Sequence, residues 1–250
     1  MVARTDKDRT GEKPHPEIWG AARGQRQTEG LLPGTIQETA REIQAIGGTA
    51  LPIRCDIVKE EEVEAMAQQV LKAFGQVDIL VNNAVAYSRY ANFLDITLAA
   101  WDHNMNVNVR GPFLCCRAVL PNMMARRKGS IVNITTSASG RIPRGLVAAK
   151  GLLLYYMTKA ALERQTTWLA DELADYNIAV NALHPGTIKT EGGMDVAQPG
   201  YDWNKSEAGI VWRDPTPEYL GPPLIYLAQQ TANTFTGRSV RRDEFRVTWP

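Results

Sequence analysis

Residues 77–84 read Val-Asp-Ile-Leu-Val-Asn-Asn-Ala, a mainly apolar run that ends in two asparagines and an alanine. Runs of this kind are typical of strands in a parallel sheet, which helices cover on both faces. Ligands of such sheets bind just beyond the carboxyl ends of the strands. The run therefore predicts a buried strand, and it makes Asn82, Asn83 and Ala84 candidate ligand-binding residues. An Asn-rich turn that merely ends the strand is the structural alternative.

Helical and strand-like patterns alternate on both sides of this run. Helices are predicted at about 35–46, 60–74, 98–126, 153–176 and 217–230, and further strands at 50–53, 130–134, 178–183 and near Arg238. Alternation of this kind predicts the α/β class with a parallel sheet. We therefore expect a Rossmann-like, doubly wound parallel sheet in three α/β/α layers, formed by a single domain over residues 35–250.

The first 34 residues contrast with that regular part. After about Asp6 they are rich in charge, Gly and Pro, and they show no apolar periodicity. Residues 1–34 are therefore predicted to form an irregular or disordered N-terminal segment. Thr35 and Glu38 match a capping box, which predicts the start of the first regular helix.

The composition excludes several function classes. Hydrophobic residues make up 44% of the 250 residues and the formal net charge is +1, so the chain lacks the basic excess of a nucleic-acid-binding protein. No apolar run approaches the roughly 18 residues of a membrane span, and the N-terminus does not resemble a secretory signal. The three cysteines, two of them adjacent, do not suggest a disulfide framework. We therefore expect a cytoplasmic protein without a nucleic-acid or membrane partner.

A tyrosine and a lysine form the first candidate catalytic pair. Tyr155 and Lys159 are four residues apart and therefore share a helix face. A phenol beside an ammonium group has a lowered pKa, because the positive charge favours the phenolate. Such a phenol can act as a general acid or base toward an alcohol or carbonyl oxygen. A core tyrosine next to a solvated lysine would show the same spacing.

Polar residues at three further places could complete a site. Thr136 and Ser137 follow a predicted strand, where a hydroxyl can bond a substrate oxygen. Asn108 falls inside a predicted helix, although asparagine has a mediocre helix propensity. The Pro185-Gly186 turn follows another predicted strand and could shape a pocket. Each also has a structural alternative. Thr136 and Ser137 could cap a turn, Asn108 could lie exposed on a helix surface, and Pro185-Gly186 could be an ordinary turn.

These motifs follow one another in the order typical of the short-chain dehydrogenase/reductase family, which the chain resembles over about residues 32–245. The resemblance rests on Cys55–Ile57, Val81–Ala84, Asn106–Gly111, Gly129–Ile134, Tyr155–Leu162 and Ile178–Gly186. It implies a Rossmann-type sheet and an NAD(P)-dependent oxidoreductase that interconverts an alcohol and a ketone by hydride transfer. In such enzymes the hydride chemistry belongs to the cofactor, while the protein supplies position and proton transfer.

The resemblance also implies catalytic roles for individual residues. Tyr155 would be the general acid/base, and Lys159 would lower its pKa and hold the nicotinamide ribose. Asn108 would hold a water that links Lys159 to solvent. A hydroxyl after strand 130–134 would bind the reacting oxygen; register from the strand gives Thr136, and counting back from the following glycine gives Ser137.

A second set of residues would bind the cofactor, NAD or NADP. Asp56, with Ile57 beside it, would contact the adenine ring. Asn82, Asn83 and Ala84 would line the cofactor groove. The nicotinamide carboxamide would meet the turn after strand 178–183, namely Pro185, Gly186, Ile188 and Thr190.

The chain departs from the family's pattern at its start. Family members open with a strand, a Gly-rich turn and a helix, whose backbone N–H groups bind the pyrophosphate. The first five residues resemble the end of the second strand, and residues 6–34 do not restore the Gly-rich turn. We therefore expect an N-terminally incomplete sheet. Either the true start codon lies upstream, or the chain is a truncated, catalytically impaired relative that acts, if at all, by association.

Two residues bear on the cofactor in particular. Val85 occupies a position that is usually glycine in the family, so its side chain is expected to crowd the groove or to shift the loop. Arg4 lies at the predicted end of the second strand, where a basic side chain can pair with the 2′-phosphate of NADP. NADP is therefore favoured over NAD, with a frayed, charged terminus as the alternative.

The substrate is expected to be a small alcohol or carbonyl compound between segments 137–154 and 187–214. The second segment contains Met194, Tyr201, Trp203 and Trp212, which favour an apolar or ring-bearing substrate unless they serve packing alone. A lyase or epimerase on the same scaffold would use the same Tyr and Lys. The resemblance further implies a homodimer or homotetramer that assembles through the long helices.

Overall fold

The structure of the protein, a computed structural model, describes residues 35–87, 92–136, 152–186, 188–189 and 216–250. The predicted irregular segment 1–34 lies outside these residues. The same holds for several candidate site residues, namely Arg4, Ser137, Thr190, Met194, Tyr201, Trp203 and Trp212.

Four parallel strands form the sheet of the described residues, in the spatial order β1-β2-β3-β4. Their bounds are Ile79–Asn82 for β1, Gly129–Ile134 for β2, Ile178–His184 for β3 and Ser239–Arg241 for β4. Every residue of β2 and β3 is buried, as expected for apolar strands between two layers of helices. The register places Asn82 opposite Asn133, near the carboxyl ends of β1 and β2.

Six α-helices flank this sheet within the described residues. They are α1 Ile36–Ala45, α2 Glu60–Phe74, α3 Leu98–Met105, α4 Gly111–Arg126, α5 Leu153–Glu172 and α6 Gly221–Ala228. Short 3₁₀ turns lie at Phe93–Asp95, Ala174–Tyr176, Pro217–Leu220 and Arg242–Glu244. None of the helices in the described ranges is long and apolar enough to cross a lipid bilayer.

The predicted helix boundaries have local causes that the structure makes visible. Helix α1 begins at the expected capping box, in which the Glu38 N–H donates to Thr35 Oγ1 over 3.0 Å and the Thr35 N–H donates to Glu38 Oε2 over 2.6 Å. Helix α2 ends at Gly75, whose φ of 77° lies in the left-handed region that favours glycine. Both ends of α2 agree with the prediction.

Three predicted elements differ from the structure, and one of them is helix 217–230, which is α-helical only over Gly221–Ala228. Residues 50–53 do not form the expected strand, because an apolar run also needs a neighbouring strand to bond, and within the described ranges none pairs with it. The predicted helix 153–176 ends earlier, at Glu172, and continues only as a 3₁₀ turn. That turn stops at Asn177, which has a left-handed φ of 55°.

Apolar side chains pack on both faces of the sheet. Ile131 of β2 belongs to a cluster that includes Val119 of α4, whereas the next residue, Val132, packs with Leu227 of α6. Successive side chains of a strand point to opposite faces, so β2 contributes to both clusters. The sheet therefore lies between two layers of helices, which confirms the expected α/β/α arrangement.

Candidate active site

Helix α5 is held to the carboxyl end of β2 by a buried lysine. The Lys159 side chain is almost inaccessible, and its Nζ donates a hydrogen bond to the Ile134 carbonyl oxygen over 2.6 Å. Burial lowers the pKa of Lys159 to about 8, because removal from water disfavours the charged amine. The alternative of a lysine in solvent is therefore excluded.

Tyr155 lies one helical turn before Lys159, in a cluster of aromatic rings. Its ring meets the Tyr87 ring edge-on at a centroid distance of 5.2 Å and the Tyr156 ring at 5.6 Å. The Thr136 side chain shares a hydrogen bond with Tyr155. Nζ of Lys159 is 5.9 Å from the centre of the Tyr155 ring, so the expected proximity of these two residues is present.

The electrostatic expectation for Tyr155 is wrong for this structure. Burial, followed by the neighbouring Tyr87 and Tyr156, raises the pKa of Tyr155 above its ordinary value, and the bond from Thr136 acts in the opposite direction. Lys159 is not among the groups that shift this pKa, and its amine donates to the Ile134 carbonyl. The phenol therefore keeps its proton strongly.

A wider helical turn brings Asn108 to the same region. Asn106–Arg110 form a π-helical turn between α3 and α4, a feature that often marks functional sites. The predicted helix 98–126 is thus present, with one enlarged turn. Asn108 lies on this turn and is fully buried, which excludes the alternative of an exposed helix-surface residue.

Asn108 connects the loop after β1 to helix α5. Its Oδ1 accepts from the Ala86 N–H over 2.7 Å, and its Nδ2 donates to the Ala86 carbonyl over 2.8 Å and to Thr158 Oγ1 over 3.0 Å. The Thr158 hydroxyl donates in turn to the Tyr155 carbonyl over 2.9 Å. The side chain is thus engaged within the protein, and the water-holding role that the resemblance implied stays a prediction.

Four of the predicted cofactor-binding residues meet in one pocket at the carboxyl end of β1. They line it together with neighbouring core residues, so that the set is Ile57, Leu80, Val81, Asn82, Asn83, Ala84, Pro112 and Cys115. Its walls are mostly apolar, and Asn83 is exposed at its edge. The pocket therefore lies where ligands of open parallel sheets bind.

The Asn82 side chain, by contrast, is used inside the protein. Its Nδ2 donates to Asn133 Oδ1 over 2.8 Å and to Cys116 Sγ over 3.6 Å. Asn133 Nδ2 donates in turn to Thr166 Oγ1 of α5 over 2.9 Å. Asn82 therefore joins β1, β2 and α5, and it reaches the pocket only as part of its wall.

Two further cofactor candidates sit on opposite sides of this region. Asp56 lies in the loop before α2, where its Oδ1 accepts from the Val58 N–H over 3.3 Å. Pro185 and Gly186 follow β3, and Gly186 has a φ of 69°, a backbone conformation that favours glycine. Ile188 lies just beyond that turn and is half-buried.

Val85 does not need the conformational freedom of the glycine that is usual at this position. Among the described residues with positive φ that are not glycine, Val85 is absent. Its side chain is 46% exposed, so it lies at the protein surface beside the pocket. Whether the Val85 side chain crowds a bound cofactor stays a prediction.

Comparison with known proteins agrees with this geometry. A family model described as Enoyl-(Acyl carrier protein) reductase matches residues 32–244. Glucose 1-dehydrogenase 2 of Bacillus subtilis is 30% identical over 219 residues, which are 87% of this chain and 83% of that protein. The chain belongs to the short-chain dehydrogenase/reductase family.

Solved structures of short-chain dehydrogenases/reductases have the same fold. One from Mycobacterium marinum shares 32% identity and a TM-score of 0.72, with 82% of this chain and 79% of that chain covered. A metagenomic short-chain oxidoreductase in complex with NADP shares 27% identity and a TM-score of 0.63, with 82% and 80% covered. The family is one of oxidoreductases, and this relative binds a nicotinamide cofactor.

Three contacting residues of this short-chain dehydrogenase/reductase were missed by sequence reasoning, namely Thr158, Glu163 and His184. Glu163 continues the spacing of four residues set by Tyr155 and Lys159, and this signal could have pointed to it. Thr158 and His184 offered no comparable signal, because their partners lie on elements that are distant in sequence.

Proposed function

We propose that this short-chain dehydrogenase/reductase interconverts an alcohol and a ketone with a nicotinamide cofactor, and that Tyr155 is the general acid/base. The observation that carries the proposal is that the half-buried Tyr155 and the buried Lys159 share one helix face, with Thr136 bonded to Tyr155. Proton transfer to or from a substrate oxygen needs a donor held in a defined place away from bulk water. The described geometry supports this role for Tyr155.

In this proposal the Tyr155 hydroxyl gives its proton to the carbonyl oxygen in reduction and takes it back in oxidation. A bound nicotinamide supplies or accepts the hydride. Because burial raises the pKa of Tyr155, the hydroxyl releases its proton only to an oxygen that is gaining negative charge. Thr136 would hold that same oxygen, since its side chain already reaches Tyr155.

The residues beyond β1 and β3 fit a nicotinamide cofactor. Ile57 and Ala84 supply apolar surface beyond β1 against which an adenine ring would pack, and Asp56 precedes Ile57 in the chain. The Gly186 turn presents its backbone without a side chain, as close approach of a carboxamide requires. Lys159 would hold the ribose hydroxyls with its amine.

Within this proposal NADP is favoured over NAD. The argument rests on Arg4, whose positive charge suits a 2′-phosphate. A relative of known structure holds NADP, which supports the same choice. Titration with each cofactor separates them, and weaker binding of NADPH than of NADH would reject the preference.

We further propose one domain over residues 35–250 and a homo-oligomer that assembles through α4 and α5. Phe113 of α4 is 51% exposed and Trp168 of α5 is 69% exposed, although both side chains are large and apolar. Exposed large apolar side chains on these two helices would favour association if they form one patch. The substrate would be a small alcohol or carbonyl compound, apolar or ring-bearing if Met194, Tyr201, Trp203 and Trp212 line its pocket.

The test compares Tyr155→Phe with its neighbour variant Tyr156→Phe, using NADPH oxidation with a panel of ketones and NADP reduction with the matching alcohols. Loss of the Tyr155 hydroxyl should lower kcat by about 100-fold or more. Tyr156→Phe keeps its ring and should retain most of the turnover. NADPH affinity, followed by cofactor fluorescence, should be similar in both variants. Undiminished turnover of Tyr155→Phe would reject the proposed role.

A further inference from the structure

An acidic residue of the catalytic helix is bonded directly to the end of strand β3. His184 Nε2 lies 2.6 Å from Glu163 Oε1. The Ser239 hydroxyl of β4 lies 2.7 Å from the same ring nitrogen and donates to the same carboxylate oxygen over 3.1 Å. These three side chains therefore join α5, β3 and β4 at one point.

The location of this contact relates it to the proposed chemistry. Glu163 follows Lys159 by four residues and Tyr155 by eight, so the three share one face of α5. His184 is the last residue of β3, and the Pro185-Gly186 turn begins directly after it. The contact thus lies between the helix that carries the proton donor and the turn proposed to meet the nicotinamide.

The contact is shielded from water. The His184 and Glu163 side chains are 11% and 21% exposed, so salt screens the interaction between them less than it would a surface pair. Hydrogen bonds to a carboxylate are shorter and stronger than neutral ones. Such a contact can hold two elements at a fixed separation.

The orientation of the imidazole ring depends on this contact. Within the described ranges His184 Nδ1 is buried and has no hydrogen-bond partner, so Nε2 is the ring atom that fixes the side chain. Arg241 lies opposite His184 in the sheet, but its guanidinium is bonded to Asp243 over 2.6 Å. Glu163 and Ser239 therefore determine where the ring points.

We propose that Glu163 and His184 are positioning residues, which hold the Tyr155 helix and the Pro185-Gly186 turn at the distance that aligns the substrate oxygen with the nicotinamide. The inference rests on the proposed function of Tyr155. Misplacement of reacting groups by as little as about 1 Å can lower a rate by about 100-fold, so a contact outside the reacting atoms can control turnover.

Two substitutions of His184 separate this role from simple packing. In His184→Gln the amide nitrogen occupies nearly the place of Nε2 and can still donate to Glu163. In His184→Asn the shorter side chain reproduces the Nδ1 position and cannot reach that carboxylate. The two variants are similar in polarity and size, so a general packing defect would affect both.

The experiment measures kcat, KM and NADPH affinity for the full chain with His184→Asn, His184→Gln, Glu163→Ala and the double variant His184→Asn/Glu163→Ala. His184→Asn and Glu163→Ala should each lower kcat by about tenfold or more, and His184→Gln should restore most of that loss. The double variant should be no worse than His184→Asn alone, because that change already removes the contact with Glu163. Equal behaviour of the Asn and Gln variants, or additive losses, would overturn the inference.

Measurements of NADPH binding test the positioning contact independently of the proposed function. If the unaltered chain turns over none of the panel substrates, the proposed function fails, and the NADPH dissociation constants then decide on the positioning contact alone. A rise of about threefold or more for His184→Asn, with recovery in His184→Gln, supports the contact even then. Unchanged constants in all variants would reject it.

Discussion

Lys159 and Ile134 are joined by a hydrogen bond of 2.6 Å, in which a buried amine donates to the backbone carbonyl at the end of β2. The bond ties helix α5 to the strand that leads to Thr136. It also keeps the amine out of water, and burial lowers the pKa of Lys159 to about 8. The charge of this amine therefore changes in a pH range that is easily studied.

The first prediction concerns the pH dependence of stability that Lys159 causes. The amine titrates near pH 10.5 in the unfolded chain and near 8 in the folded one. Between these values the unfolded chain binds one proton more, so the free energy of unfolding rises with pH, by at most about 1.4 kcal/mol per pH unit. Below pH 8 both forms are protonated, and the cost of the buried charge is fully present.

Urea unfolding of the unaltered chain and of Lys159→Met, from pH 7.5 to 9.5, tests this prediction. The unfolding free energy of the unaltered chain minus that of Lys159→Met should increase as the pH rises. Contributions from Tyr155 and from the cysteines are common to both proteins and cancel. A flat difference would show that the amine is not desolvated as the structure has it.

The second prediction concerns the close contact between Gly111 and Ile57. A methyl group at Gly111 would lie 2.6 Å from Ile57 Cδ1 and 2.9 Å from Cγ1, which is too close without a shift. Gly111→Ala should therefore displace Ile57, cost about 1–3 kcal/mol of stability and weaken NADPH binding, because Ile57 lines the pocket.

A second change should relieve that overlap. Ile57→Ala removes both close atoms, so the double variant should cost less stability than the sum of the two single changes. Gly221→Ala is the matched control, because a methyl group there meets nothing within 4 Å. If Gly111→Ala binds NADPH as the unaltered chain does, Ile57 does not shape the cofactor site.

The elements that sequence reasoning predicted well are those with strong local signals. Helix α2 has an apolar face and ends at Gly75, and β2 and β3 contain the apolar runs Ile131–Val132 and Ile178–Val180. The expected strand at 50–53 had an apolar run but no partner strand within the described ranges, and local sequence does not reveal whether a partner exists. Pairing is a property of the folded chain.

In the candidate site, too, local features could be predicted from the sequence, whereas contacts that depend on the folded chain could not. The nearness of Tyr155 and Lys159 follows from helical geometry alone. The direction of the amine does not, because it depends on where the Ile134 carbonyl lies after folding. The Glu163–His184 contact likewise joins a helix to a strand end, and only the packed structure brings the two residues together.

The third prediction concerns the cysteines of the core. Burial raises the pKa of Cys115 and of Cys116 to about 12, whereas a thiol in the unfolded chain titrates near 9. Above pH 9 the unfolded chain therefore releases protons that the folded chain keeps, and stability falls with rising pH, by at most about 1.4 kcal/mol per pH unit for each thiol. Below pH 9 this contribution is fully present.

Unfolding of Cys116→Ala between pH 8 and 10.5 measures this effect. The unaltered chain should lose stability more steeply than the variant above pH 9. In parallel, Ellman's reagent at pH 8 should label Cys116 slowly in the folded protein and rapidly in urea, because the folded protein buries the thiol and urea exposes it. Equal labelling rates in both conditions would contradict the burial of this thiol.

The last prediction decides between the two hydroxyls that could bind the reacting oxygen. Thr136 shares a hydrogen bond with Tyr155, so Thr136→Val should lower kcat by about 100-fold. Since that bond acts to lower the pKa of Tyr155, its loss should also move the pH profile of alcohol oxidation to higher pH. Thr135→Val is the matched control, because Thr135 Oγ1 is buried without a partner among the described residues and its removal should leave turnover intact. Should Ser137→Ala lose turnover while Thr136→Val retains it, the reacting oxygen is held by Ser137, and the bond between Thr136 and Tyr155 serves the fold alone.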